Sequence, residues 1–336
     1  MATKTTGRKS GQPAKAADAG GIEVLEKYTG RLIARVPESS EPDVRAAIGR
    51  AQKTFADYSQ WPCHRRAKVL EKASQLLTER REALALTISR EAGKALKYSL
   101  IEVDRGADTF KFAAEEAKRI HGETIPLDAS SAGEGRLGFY LRTPIGVVAA
   151  ISPFNFPLNL VAHKVAPALA MGNTVVLKPA TSTPLTALAL QGILREAGLP
   201  EGALEVVIGG GSTVGNWLVC DPRPAMVTFT GSPGVGTHIT KMAGLKKITM
   251  ELGNNGGVII EPDSDWRSAV DRCVMSSFAN SGQVCISLQR IYVHESIAKG
   301  FTEAFVKATA RLKVCDPTEK DCDVGPMISE SEASRA

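Results

Sequence analysis

Six short apolar runs from Val147 onward constrain the fold more than any other feature of the chain. They are VVAAI (147–151), TVVL (174–177), LEVVI (204–208), MVTF (226–229), KITM (247–250) and GVII (257–260). Helical or small-residue stretches separate most of them. Continuous apolar strands alternating with helices predict an α/β fold built on a parallel sheet covered on both faces. In such sheets ligands sit beyond the carboxyl ends of the strands, so the segment after each run is where chemistry is to be sought.

Ahead of this region the pattern is helical. Val44, Ala47, Ile48, Ala51 and Phe55 recur at near-helical spacing over 41–57. Residues 64–97 continue as a charged, Ala/Leu-rich helix broken near Gly93, and 101–120 read as helical again. Residues 121–145 carry turn residues and short β-type runs, which predict a β-hairpin arm. Residues 1–20 are small, polar and basic with a single acid, Asp18, and lack the apolar stretch of a secretory signal; they read as a disordered tail. At roughly 100–200 residues per domain, 336 residues predict two domains.

Composition narrows the function. A net charge of +5 is modest and spread along the chain, and aromatic residues make up only 5%, so no nucleic-acid partner is expected. No apolar run approaches the roughly 20 residues that span a bilayer, so no membrane partner is expected either. The six cysteines (Cys63, Cys220, Cys273, Cys285, Cys315 and Cys322) form no CxxC pair, and no histidine cluster has zinc-ligand spacing, so no metal is expected. Scattered cysteines without a secretory signal point to a reducing, cytoplasmic setting.

Each strand end then offers a candidate with a bland alternative beside it. After the first run, Ser152-Pro153-Phe154-Asn155-Phe156-Pro157 holds an amide between two prolines and two aromatics. Such an amide suits oxyanion stabilisation, or is an Asx turn in a Pro-rich loop. Lys178-Pro179-Ala180-Thr181 follows the second run; its lysine can reach a ribose or phosphate, or lie on the surface. The Gly-rich turns at 209–215 and 230–236 can bring backbone N–H groups toward a phosphate. Neither is a clean GxGxxG, but two in successive units favour a dinucleotide. Glu251, followed by Leu252-Gly253, has room to act as a general base, or faces solvent as a turn acid. Cys285 ends an Asn280-Ser281-Gly282-Gln283-Val284 loop ahead of an apolar strand, and is a presented nucleophile or a structural thiol.

Taken together, PFNFP (153–157), LKPAT (177–181), FTGSPGVG (229–236), MELGNN (250–255) and NSGQVCIS (280–287), in that order and with Cys285 34 positions after Glu251, resemble the aldehyde dehydrogenase superfamily from about residue 22 to the end. The resemblance implies a Rossmann-like NAD(P)-binding domain (21–254), bearing the hairpin arm, and an incomplete α/β catalytic domain (255–336). It implies oxidation of a small-molecule aldehyde to a carboxylic acid. Cys285 forms a thiohemiacetal and then a thioester, Asn155 holds the oxyanion with the Cys285 main-chain N–H, and Glu251 activates the hydrolytic water. Ser152, Phe154, Lys178, Thr181, Gly211, Gly215, Phe229, Gly231, Ser232 and Val235 are implied cofactor contacts. A free thiol titrates near ~8.5, so a cysteine nucleophile at neutral pH needs a base or a favourable field.

The sequence departs from the family pattern in places. NAD-preferring members usually carry Glu where Thr181 stands, so Thr181 implies that NADP is accepted. Val284 gives no ground for an anionic substrate. The chain stops at Ala336, soon after Val324-Gly325-Pro326-Met327, where members of the family continue through a Glu that holds the nicotinamide ribose and a strand of the oligomer interface. The expectation is a C-terminally truncated member with little or no dehydrogenase activity by itself, whose full-length form is a homo-oligomer. The rival reading is a non-catalytic cofactor-binding or interaction module of the same family. A CoA-acylating reaction is disfavoured by Glu251, because relatives of that kind commonly lack this base.

Overall fold

A computed structural model describes residues 21–336. The expected tail at 1–20 lies outside the described residues. The chain opens with an antiparallel hairpin, β1 (Ile22–Leu25) and β2 (Leu32–Val36), which the sequence reading did not anticipate. Four helices follow: α1 (Glu41–Tyr58), α2 (Cys63–Glu79), α3 (Arg81–Ala92) and α4 (Leu96–Ala117). α1 starts where it does because Ser40 and Asp43 form a reciprocal capping box and Pro42 lies in the first turn. α3 stops at Gly93, whose φ of +73° only glycine adopts cheaply; a β-carbon there would also come within 2.9 Å of Pro326 O. The expected break near Gly93 is present, and a second occurs at Arg80, between α2 and α3.

β3 (Glu123–Ile125) and β4 (Gly138–Tyr140) pair antiparallel, in the segment expected to be a hairpin. Then comes the main sheet, in alternation with helices: β5 (Val147–Ile151), α5 (Asn159–Ala170), β6 (Thr174–Lys178), α6 (Leu185–Glu196), β7 (Leu204–Val206), α7 (Asn216–Cys220), β8 (Pro224–Gly231), α8 (Pro233–Met242) and β9 (Lys247–Leu252). The strand order is β7-β6-β5-β8-β9 and every pairing is parallel. Period-two alternation divides the side chains between two cores. Val148, Ala150, Val175 and Leu177 join one core with α2 to α6, while Val147, Ala149, Ile151 and Val176 join the other with α1 and α7. That is why β5 and β6 read as unbroken apolar runs.

The sixth apolar run corrects the sequence reading. β10 (Gly257–Ile260) does not extend the main sheet; it pairs in parallel with β11 (Arg290–Val293). Only 253–256 separate β9 from β10, and a parallel crossover needs about a dozen residues, so β10 cannot lie beside β9 in the same direction. The β10–β11 pair has its own small core with α9 (Trp266–Phe278) and α10 (Glu295–Thr309), including Ile260, Val274 and Phe301. A short helix, α11 (Glu330–Arg335), ends the chain. Among the described residues no helix is long and apolar enough to cross a membrane.

In strand order β7-β6-β5-β8-β9 the chain runs outward from β5 and then returns to the other side of it. The switch point therefore lies between β5 and β8, and the crevice outside their carboxyl ends is where a doubly wound sheet holds its ligand.

Candidate active site

The loop leaving β5 is held on three sides. Ser152 N donates to Lys178 O at 3.2 Å, tying the loop to the end of β6. At its far end the Glu102 carboxylate accepts from Leu158 N (2.9 Å) and Asn159 N (3.1 Å), the first free donors of α5. Lys94 pairs with Glu102 and places its ammonium 3.6 Å from the centre of the Phe156 ring. Both charged side chains are fully buried. Between these anchors the Asn155 side chain is fixed by its Nδ2, which donates to Gln283 O at 2.8 Å. Asn280 Nδ2 lies 3.4 Å from both Asn155 O and Gln283 O. Asn155 Oδ1 and Ser152 Oγ are buried without a partner among the described residues.

Gln283 belongs to the turn that carries Cys285. This turn is strained: Asn280 (φ 52°) and Ser281 (φ 58°) occupy the left-handed region ahead of Gly282 (φ 73°), and a non-glycine residue there costs about 1–2 kcal/mol. The surroundings fix it. Gln283 N and Nε2 both donate to Asn280 O (3.0 and 3.1 Å), Ser281 Oγ donates to Gly325 O (2.7 Å), and Ile328 N donates to Gln283 Oε1 (2.9 Å). Cys285 emerges from this frame exposed.

Glu251 stands on β9, not in a turn beyond it, in register with Thr230 on β8. Thr230 Oγ1 accepts from Lys164 Nζ at 2.6 Å. Burial pushes Lys164 down to about 8 and the Glu251 carboxylate opposes that shift. His163 is likewise lowered, first by burial and then by Arg105 and Lys164, again with Glu251 opposing. The Asn155 loop and the cysteine turn thus touch directly, whereas Glu251 lies near Lys164 of α5.

A cleft of about 280 Å³ lies beside Ile151 at the carboxyl end of the sheet, lined by Lys178, Gly211, Gly215 and Val235 of the expected cofactor contacts, with Ser212, Asn216 and His238. Gly211–Gly215 form a single wide helical turn leading into α7. Lys178 is buried and pushed down to about 8 by that burial; one of its three donors is spent on Pro179 O at 3.0 Å. Ser232 caps α8 by accepting from Val235 N, which leaves its O–H free to donate. Gly231 lies under the buried Phe229 ring, and a β-carbon there would come within 2.4 Å of it. Phe154 is half-buried between the loop prolines. Thr181 Oγ1 donates to Gly209 O at 2.7 Å. A glycine-lined cleft and a buried ammonium with two of its three donors unspent together form a cradle for a polar, phosphate-bearing cofactor.

The sequence reading missed several of these residues. A lysine inside the apolar helix NLVAHKVAPALA is a legible anomaly, so Lys164 could have been found. Lys94 and Glu102 act through contacts between distant segments and left no local signal, while Asn280 and Gln283 stood in the NSGQVCIS motif without a role of their own. Glu38, on the loop ahead of α1, was also missed: a β-carbon on Gly209 would lie 3.1 Å from Glu38 Oε1, which sets a carboxylate on the turn that receives the Thr181 hydroxyl. Among the described residues no three His, Cys, Asp or Glu side chains are grouped as a metal site.

Comparison with known proteins gives the same picture. Residues 14–336 match the description "Aldehyde dehydrogenase family". The chain is 45% identical over 318 residues to the 3-sulfolactaldehyde dehydrogenase of Priestia aryabhattai, covering 94% of this chain and 65% of that protein. It is 39% identical over 336 residues to the mitochondrial succinate-semialdehyde dehydrogenase of Oryza sativa subsp. japonica, covering 99% of this chain and 63% of that one. Among solved structures, the glyceraldehyde-3-phosphate dehydrogenase of Methanocaldococcus jannaschii complexed with NADP superposes with a TM-score of 0.90 at 39% identity, over 94% of this chain and 68% of its own. Aldehyde dehydrogenase 21 of Physcomitrella patens, in complex with the reaction product succinate, gives 0.90 at 42% identity, over 95% and 66%. The chain therefore spans slightly less than two thirds of the length of these curated relatives.

Proposed function

The chain belongs to the aldehyde dehydrogenase family, and from that premise we propose that it carries the cofactor-binding unit (21–254) and the nucleophile-bearing part (255–336) of an NAD(P)-dependent enzyme that oxidises an aldehyde to a carboxylic acid. One observation supports this reading most directly: the Asn155 amide is hydrogen-bonded to the main chain of the turn that presents Cys285. An amide has two N–H donors. The one on Gln283 O fixes the group, and the other is left to meet an oxygen bound beside the sulfur.

In this reading the Cys285 sulfur adds to the aldehyde carbon, and the second Asn155 N–H holds the oxygen as charge builds on it. NAD(P)+, when bound, accepts the hydride. Cys285 retains the acyl group as a thioester. Glu251 takes a proton from the water that cleaves this thioester, releasing the acid and restoring the thiol. Lys178, Gly211, Gly215, Ser232 and Val235 hold the cofactor, with Ser152, Phe154, Phe229 and Gly231 near its reactive end and Thr181 near the adenosine ribose. The relatives named for carboxylate- or sulfonate-bearing aldehydes make a small polar aldehyde the substrate class to try first. The exposed hairpin side chains Leu137, Phe139 and Leu141 are the surface proposed for assembly into a homo-oligomer, at a cytoplasmic location.

The test is labelling and turnover of the full chain with a small aldehyde. Cys285→Ala is expected to abolish acyl labelling. Asn155→Ala is expected to slow it by about 10²–10³-fold, the usual cost of losing one oxyanion donor. Cofactor binding without any labelling of Cys285 would instead favour the non-catalytic module.

A further inference from the structure

Outside the candidate active site, a pair of sulfurs is brought together. Cys315 and Cys322 stand at the two ends of a loop that closes on itself. Val314 and Val324 form an isolated parallel bridge. Cys315 N donates to Val324 O at 3.2 Å, and Asp323 N and Val324 N donate to Lys313 O at 2.9 and 3.1 Å. This pinch aims both thiols at one place: the Lys313 carbonyl oxygen lies 3.7 Å from Cys315 Sγ and 4.0 Å from Cys322 Sγ, and Cys322 Sγ is also 3.3 Å from Cys315 O. The two differ in access. Cys322 is buried and Cys315 half-exposed.

We propose that Cys315 and Cys322 are an oxidisable dithiol that closes to a reversible disulfide with low-molecular-weight disulfides as the oxidant. The order of events follows from access. The Cys315 thiolate attacks one sulfur of a small disulfide, expelling a thiolate and leaving a mixed disulfide. Cys322, losing its proton to solvent or to the departing thiolate, attacks Cys315 Sγ and expels the second small thiol. Two protein thiols are oxidised, one small disulfide is reduced to two thiols, and no other reactant is needed. Burial and then the neighbouring Cys315 thiol push Cys322 up to about 12, so it resolves rather than initiates. The loop is not isolated: Pro317 O accepts from Leu96 N at 2.7 Å, Asp323 pairs with Lys97, and Gly325 and Ile328, just beyond, brace the turn that presents Cys285. Oxidation therefore stiffens a segment that abuts the proposed nucleophile without consuming it.

The full chain, folded, is incubated with oxidised glutathione, blocked with iodoacetamide, digested and mapped by mass spectrometry. The expected product is a peptide joining Cys315 to Cys322, lacking two hydrogens, bearing no alkyl group and reverting with dithiothreitol. It should form at least about tenfold faster in the folded chain than in urea. In Cys322→Ser, Cys315 is expected to accumulate as the glutathione adduct; in Cys315→Ser, Cys322 is expected to stay unmodified until the chain is unfolded. Recovery of both cysteines as alkylated thiols, or as separate glutathione adducts, after the exposed Cys63 has reacted would overturn the proposal. The unsubstituted chain decides the matter even if either variant fails to fold.

Discussion

At the scale of single residues, Glu91 separates burial from pairing most cleanly. Its carboxylate sits at the start of α6, accepting from Leu185 N (2.8 Å) and from Thr186 N (2.9 Å) and its hydroxyl, yet burial outweighs these bonds and the nearby Lys27 and pushes it up to about 7. The ordinary value is 4.5. A carboxyl raised on folding binds its proton more tightly in the native state, so its contribution is complete below about 4.5 and is lost as pH rises through about 7. Thermal unfolding of Glu91→Gln should depend less on pH across that window than the parent; equal slopes would rule the assignment out. Glu38 tests the cofactor. Two unit charges 4 Å apart interact by ~1 kcal/mol even in water, so Glu38→Gln should improve NADP binding relative to NAD by about fivefold, read by titration calorimetry. An unchanged ratio would place Glu38 away from the 2′ position. Legibility divides at this scale too. Asn155, Glu251 and Cys285 stood out because each occupies a short, unusual stretch beside a strand or turn. Glu38 and Gln283 did not, because their roles come from neighbours 171 and 128 residues away.

Among the elements, α5 shows how a buried ion pair can be costly and still retained. Its first two free N–H groups end on the Glu102 carboxylate, which also compensates the helix dipole, and Lys94 neutralises that carboxylate in a fully buried site. Removing one partner of a buried pair usually costs about 3–5 kcal/mol. Lys94→Met should destabilise by that amount in a denaturant titration. Glu102→Leu combined with Lys94→Met should not recover fully, because two helix donors lose their acceptor at roughly 1–3 kcal/mol each; full recovery would contradict the capping role. β5 and β6 were legible because a strand buried on both faces reads as a nearly continuous apolar run, whereas β9 was legible although it is largely exposed. β1 and β2 were not, because Glu23 and Arg35 pair across the exposed hairpin and make its sequence look like an ordinary surface segment. The misplacement of β10 came from reading hydrophobicity without connection length; the four residues before it already ruled out a crossover.

For the whole molecule, order should grade from the sheet outward. β5 and β6 are buried along their entire length, whereas β10 and β11 form only a pair and leave Ile259 and Tyr292 exposed. Hydrogen exchange should therefore be slowest in 147–151 and 174–178 and at least about tenfold faster in 257–260 and 290–293; uniform protection would mean that the two sheets open together. The contact between Asn155 and Gln283 spans 128 positions. At synthesis rates of about 5–20 residues per second, roughly 6–26 s pass between the emergence of the two partners. During that interval the nascent chain can complete its parallel sheet and cofactor cradle while the amide of Asn155 still faces water. The proposed nucleotide cradle thus precedes the proposed nucleophile in the order of synthesis, so on this reading a nascent chain has the means to hold a dinucleotide before it has the means to attack a carbonyl.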